Sequence, residues 1–230
     1  MFIFATFNSK MGKDKLKRFE ALKKMERVLQ PVIDYHSPDH EIKGNWNKEV
    51  FNNSLPIVLE VGCGRGEYTV GLAQHYPEKN FIGIDIKGAR LWRGVKTSNE
   101  FNILNTAFLR IRMECIGKFF AKDEVSEIWI TFPDPQPKQS KENKRLSSAL
   151  FISRYSNFVK PGGLIHLKTD NEMLFDFSLA TAEKLSKEIV AATNNLYYSG
   201  LTGIDYAIRT TYEQTYHNQG KNICYLCFKM

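Results

Sequence analysis

Four carboxylates stand where turns of this chain bring backbone close to a ligand: Glu60, Glu67, Asp85 and Asp134. The apolar run Ile57–Val61, which contains Glu60, breaks into Gly62, Gly64 and Gly66 and then continues with helical spacing. That is the pattern of a strand, a tight turn and a helix N-terminus, a place where a cofactor is cradled. Glycine there permits positive φ and an approach that a Cβ would block. Asp85 ends the next apolar run, about where an open α/β sheet places a ribose-binding carboxylate. A dinucleotide fingerprint needs glycine where Glu67 stands. A turn carrying Glu60 and Glu67 suits a cationic ligand better than a diphosphate. Asp134 lies in Phe132-Pro133-Asp134-Pro135-Gln136-Pro137-Lys138, straight after a fourth apolar run. Its three prolines fix φ and lower the loop's entropy, which holds the carboxylate in place.

These groups need elements to carry them, and the periodicity supplies strands and helices in alternation. Strands are expected at Ile57–Val61, Asn80–Asp85, Thr106–Arg112, Val125–Phe132 and Leu164–Lys168, with helices at Gly66–His75, Ala89–Phe101 and Glu172–Leu185. A short helix is expected at Cys115–Phe120, and final strands near Ile204–Ile208 and Asn222–Phe228. The alternation predicts an α/β fold with a largely parallel sheet. In such sheets ligands bind beyond the carboxyl ends of the strands at the switch point, so the proline loop should overhang the glycine turn.

A chain of 230 residues with 43% hydrophobic content suits one domain with an appended element. The formal charge of +7 is concentrated in two places. Lys10–Arg27 carries eight Lys/Arg against three carboxylates, and Lys138–Arg145 four against one. Such patches point to a polyanionic partner. The first patch has apolar spacing that predicts a basic amphipathic helix from Lys13 to Leu29, ended by Pro31. Residues 1–10 read as disordered or as the product of an upstream start, 11–54 as a basic arm and lead-in, and 55–230 as the main domain. Cys224-x-x-Cys227 would point to opposite faces of a strand, and the five histidines lack metal-ligand spacing, so no metal is expected. No secretory signal or membrane-length apolar run is visible, and a reduced, cytoplasmic protein is expected.

The glycine turn with Asp85 resembles the first two motifs of the class I S-adenosylmethionine-dependent methyltransferases. Taken with Phe132-Pro133-Asp134-Pro135 and Lys138, Asn143-Lys144-Arg145-Leu146, Lys168-Thr169-Asp170-Asn171, and Thr210-Thr211-Tyr212-Glu213 with Gly220 behind it, the chain resembles the tRNA (guanine-N7-)-methyltransferase family of the bacterial TrmB type. The resemblance spans about Lys13 to the C-terminus. It implies a Rossmann-like domain with a seven-stranded, mostly parallel sheet flanked by helices, and methyl transfer to guanine 46 in the variable loop of tRNA, by a monomer or homodimer. By the same resemblance Glu60, Gly62, Gly64, Gly66, Asp85 and Asp134 would bind S-adenosylmethionine, with Asp134 also catalytic. Lys138, Asp170, Thr210, Thr211, Tyr212 and Glu213 would bind the substrate nucleotide. Lys13, Lys15, Lys17, Arg18, Lys141, Lys144 and Arg145 would meet the RNA backbone. Gln136 stands where the family frequently has tryptophan, Gln139–Ser140 where a more basic run is usual, and Arg112–Met113 where an acidic residue and alanine are common near the adenine. Rival readings are a methyltransferase of exocyclic amines, whose usual Asp/Asn-Pro-Pro-aromatic loop is broken here by Gln136 after Pro135; an NAD-dependent oxidoreductase, disfavoured by Glu67; and an RNA-binding module with a degenerate pocket.

Overall fold

The computed structural model describes residues 14–230, with the backbone alone at 204 and 205. Lys13 and the expectation for residues 1–10 lie outside the described residues. Eight strands form one sheet in the order β1-β4-β3-β2-β5-β6-β8-β7. They are β1 (Val28–Leu29), β2 (Ile57–Val61), β3 (Asn80–Ile84), β4 (Thr106–Leu109), β5 (Val125–Thr131), β6 (Val159–Thr169), β7 (Ile189–Thr193) and β8 (Cys224–Lys229). All pairings are parallel except those of β8 with β6 and β7. The strand order reverses between β2 and β5, and this crevice is where such a sheet opens to a ligand.

The helices are α1 (residues 14–22), α2 (Glu67–His75), α3 (Gly88–Glu100), α4 (Ala149–Tyr155), α5 (Glu172–Lys184), α6 (Ile204–Ala207) and α7 (Thr211–Asn218). Side chains alternate across the sheet. Ile57, Leu59 and Val61 join one core cluster with Phe151 of α4 and Leu174 of α5, whereas Val58 joins the other with Leu22, Leu72 and Leu91 of α1, α2 and α3. Cys224 and Cys227 fall in opposite clusters, both buried and free, as the strand reading requires.

Three elements differ from the sequence expectation. The basic helix ends by residue 22 rather than running to Leu29. Val28 and Leu29 instead pair with the edge strand β4, where the Phe108 and Arg110 N–H groups donate to the carbonyls of Arg27 and Leu29 at 2.8 Å each. An exposed strand edge is a row of unmet hydrogen-bonding groups, and two β-branched or apolar residues satisfy it better than another helical turn. Leu22, fully buried, pins the shortened helix, a contact worth about 1.5–3 kcal/mol. This added strand makes the sheet eight-stranded rather than seven.

The strand expected near Ile204–Ile208 is helix α6, and the edge position beside β8 is taken by Ile189–Thr193. Gly203, at φ 139°, opens a turn that a strand could not continue through. The strand signal that was present lies in Ile189, Val190 and Thr193, whose β-branched side chains alternate between half-buried and exposed in their segment as an edge strand's do.

Candidate functional site

The carboxyl ends of β2, β3 and β5 converge on one cleft. Its two adjoining hollows, of about 310 and 410 Å³, share Gly62, Lys87, Arg90, Phe132, Pro133 and Asp134. Glu60, Gly64, Thr210 and Tyr212 line the first, and Asp85, Arg112, Met113 and Leu146 the second.

The glycine turn is built by hydrogen bonds onto the next strand. The N–H groups of Gly62 and Cys63 both donate to the Ile84 carbonyl, at 2.8 and 3.0 Å. Asp85 then accepts from the Gly64 N–H at 2.9 Å through one oxygen and from the Lys87 N–H at 2.7 Å through the other. Gly64 has φ 56° and open space where a Cβ would stand, the opening a ligand can occupy. Gly66 serves packing instead, since a Cβ there would lie 2.6 Å from the Phe108 ring.

Glu60 is 3% exposed at the floor of the cleft. One oxygen accepts from the N–H and hydroxyl of Thr69 and the other from the Thr131 hydroxyl at 2.5 Å. None of these donors is a cation. Burial therefore pushes the carboxyl up to about 7; the Thr131 and Thr69 hydrogen bonds oppose this, and the charge of Asp85 adds to it.

The proline loop overhangs this floor. Phe132 and Gln136 bracket Pro133–Pro135 and both hold positive φ, 47° and 45°. For such side chains this left-handed backbone costs about 1–3 kcal/mol each, strain that persists only where surroundings enforce it. The enforcement is visible. The Phe132 N–H donates to Lys168 O at 2.8 Å, and the Arg145 guanidinium donates to the carbonyls of Pro135 and Gln136 at 3.2–3.3 Å while lying 4.2 Å from the Phe177 ring centre. Asp134, at the tip, is exposed, and its carboxylate accepts from the Gln136 N–H at 3.1 Å.

Opposite the loop, Thr210 caps α7 by accepting from the Glu213 N–H at 3.1 Å. Thr211 donates through its N–H and its hydroxyl to Glu67 at 2.6 and 2.5 Å. Glu213 turns away from the cleft. Both it and Lys168 are fully buried, paired at 2.9 Å, and the Tyr197 hydroxyl donates to the same carboxylate at 2.6 Å.

Seven residues named from sequence for their chemistry therefore share the first hollow: Glu60, Gly62, Gly64, Glu67, Asp134, Thr210 and Tyr212. Asp85 joins them through the second. Lys138, Asp170, Thr211 and Glu213 line neither. Asp170 is engaged by Lys221 at 2.8 Å, and Lys138 is exposed. Lys15, Lys17, Arg18, Lys141 and Lys144, expected from sequence at the RNA backbone, are exposed. Arg145 departs from that set: it is 5% exposed, because its guanidinium turns inward onto the loop carbonyls. Sequence reading missed Lys87 and Arg90, which border both hollows. Their signal was a pair of cations just beyond Asp85, at the start of α3.

The fold and this cleft define a class I methyltransferase, in which a carboxylate-lined glycine turn at the switch point faces a rigid loop after the neighbouring strand β5. The same fold is found in the crystal structure of the 16S rRNA methyltransferase KamB, with a TM-score of 0.60 and 11% identity, over 80% of this chain and 91% of that one. A family model described as "Putative methyltransferase" matches residues 54–226. The chain is 45% identical over 221 residues to the tRNA (guanine-N(7)-)-methyltransferase of Bacteroides thetaiotaomicron, covering 96% of this chain and 87% of that protein. To the protein of the same name from Christiangramia forsetii it is 46% identical, covering 95% and 99%. The chain belongs to the tRNA (guanine-N(7)-)-methyltransferase family.

Proposed function

We propose that this protein transfers a methyl group from S-adenosylmethionine to N7 of a guanine in tRNA, at position 46 of the variable loop. The observation that carries the reading is the buried Glu60, held by neutral donors and unmatched by a cation on the floor of a cleft beneath Asp134. Family membership supports guanine N7 of tRNA as the target, since the relatives' names carry that transfer, while position 46 rests on the resemblance alone.

The residues present fit a sulfonium cofactor. Glu60, Asp85 and Asp134 surround an opening at Gly64 with negative charge, and Lys87 offers a partner for a carboxylate. S-adenosylmethionine, when bound, supplies a methyl group activated by its sulfonium. Guanine N7 has an in-plane lone pair and carries no proton, so the chain needs no general base. Its task is alignment, for which well-oriented partners gain roughly 7–11 kcal/mol. Methylation leaves positive charge on the purine, and a fixed carboxylate at Asp134 stabilises that charge as it develops. Thr210 and Tyr212 face Asp134 across the hollow and are placed to position the base. Thr211 and Glu213 hold their segment from behind, through Glu67 and Lys168. Asp170, near its Lys221 partner, is assigned to the substrate only by family resemblance. The exposed cations of α1 and of Lys138–Lys144 would meet phosphates, which position RNA without reading sequence.

Transfer of labelled methyl to an unmodified tRNA transcript, followed by cleavage specific for N7-methylguanosine, tests this reading. Cleavage at one variable-loop guanine is expected. Label without that cleavage would mean another target atom, and no label would remove the activity.

A further inference from the structure

Beside the cleft lies a second, larger groove, whose arginines outside α1 have no role in the proposed chemistry. It has a volume of about 770 Å³ and runs between α1, α3 and the first turn of α7. Five cations line it: Lys15, Arg18, Arg65, Arg90 and Arg93. Its carboxylates are Asp14 and Glu67, and Glu67 is already engaged by Thr211 and, at 3.9 Å, by Arg65. Arg90 and Arg93 are exposed and make no ion pair with any described residue. Their own helix shows the alternative, since Lys96 pairs with Glu100 one turn along at 3.2 Å. Two arginines left unmatched on one helix raise the positive potential of the groove.

The groove is continuous with the methyl-transfer cleft, for Arg65, Glu67, Arg90 and Tyr212 border both. The basic arm is also fixed in place beside it. The Arg18 guanidinium lies 5.2 Å from the centre of the Trp92 ring on α3, and the Arg110 guanidinium 4.9 Å from that of Phe19. Such cation–π contacts tie α1 to the domain at about 0.5–1 kcal/mol each.

We infer that this groove carries the sugar–phosphate backbone next to the target nucleotide, with Arg65, Arg90 and Arg93 as phosphate contacts beside Lys15 and Arg18. The RNA strand then enters the cleft from the α1–α3 side and crosses Arg90 toward the lysines of the 139–144 turn. This inference rests on the reading of the protein as a tRNA methyltransferase. It assigns roles to three arginines outside both basic patches of the sequence, and it sets the direction from which the strand approaches.

The test compares Arg93→Glu with Lys184→Glu, an equal charge change at an exposed residue of α5, on the opposite face of the sheet. Binding of an unmodified tRNA transcript is measured across a salt series, with S-adenosylmethionine binding by calorimetry as a check on the fold. For Arg93→Glu, tRNA affinity should fall about tenfold and the slope of log K against log salt should flatten by about 0.7–0.9, the loss of one phosphate contact. Lys184→Glu should leave both within about twofold, and both variants should bind the cofactor as wild type does. If wild-type protein methylates the transcript while Arg93→Glu binds it no worse than Lys184→Glu at every salt concentration, the groove is only a solvated surface and the inference is overturned. If the wild type neither binds nor methylates tRNA, the underlying reading fails and the inference falls with it.

Discussion

One buried carboxylate forms the floor of this cleft and another lies behind it, and they are satisfied in opposite ways. Glu60 is held by a backbone N–H and two threonine hydroxyls, so its charge has partners for hydrogen bonds but no counter-charge. Glu213 has the Lys168 ammonium at 2.9 Å. An ion buried without a counter-ion is costly, and the cost is relieved when a cation arrives. In Glu213 one oxygen, Oε1, takes both the Lys168 and the Tyr197 donors, while the buried Oε2 has no hydrogen-bond partner among the described residues; the residue lines neither hollow of the cleft. On the function proposed above, the first arrangement is a floor suited to a cationic cofactor. The second makes a strut, joining the end of β6 to α7 so that Thr210 and Tyr212 face the cleft.

Breaking the strut should give the largest effect. Lys168→Met leaves Glu213 buried without its counter-charge and should cost about 3–5 kcal/mol in denaturant unfolding. A loss under about 1 kcal/mol would show that the pair is not what holds α7. The floor should respond in the opposite sense. Glu60→Gln removes a charge that is expensive to bury, so unfolding stability near pH 8 should hold or rise. Cofactor affinity should meanwhile fall by about 1.5–3 kcal/mol, the worth of a hydrogen bond to a charged group. If Glu60→Gln destabilised the protein as Lys168→Met does and left cofactor binding intact, the distinction between floor and strut would collapse.

A smaller effect sharpens the comparison through pH. Burial raises the Glu60 carboxyl from an ordinary 4.5 to about 7, so the folded protein holds a proton there that the unfolded chain has released. Glu60 therefore contributes stability below about pH 4.5 that is lost as pH rises toward 7. A bound sulfonium favours the ionised form, so binding should release up to one proton per site near pH 7, and affinity should rise by up to about tenfold per pH unit below that. Calorimetry in buffers of different ionisation enthalpy would read the proton directly. Its absence in wild-type protein would mean that Glu60 is already ionised.

The same contrast explains which parts of the site were legible in the sequence. The floor is local. A strand, three glycines and a carboxylate lie within ten residues, and Asp85 ends the very next strand, so spacing alone locates the turn. The proline loop is legible for the same reason, because proline acts through its own backbone. Partnerships made across the fold were not legible. Nothing near Glu213 announces Lys168, and Arg145 reads as a surface cation until its guanidinium is seen on the loop carbonyls. The short edge strands also escaped. Two residues at Val28–Leu29 carry no periodicity, and their pairing is set by the open edge of β4. The strand placed near Ile204–Ile208 shows the converse error: the backbone there forms a short helix, and Ile208 just beyond it packs against Gly71 of α2.

Single-turnover methyl transfer by Asp134→Asn, with cofactor and tRNA both saturating, tests the central claim most directly. The substitution removes the charge that faces the developing cation and keeps the side chain's size. The account predicts a rate lower by about 10²–10³ at saturation, beyond any loss of cofactor affinity that saturation offsets. An unchanged rate would contradict it, and would show that alignment within the cleft suffices without the Asp134 carboxylate.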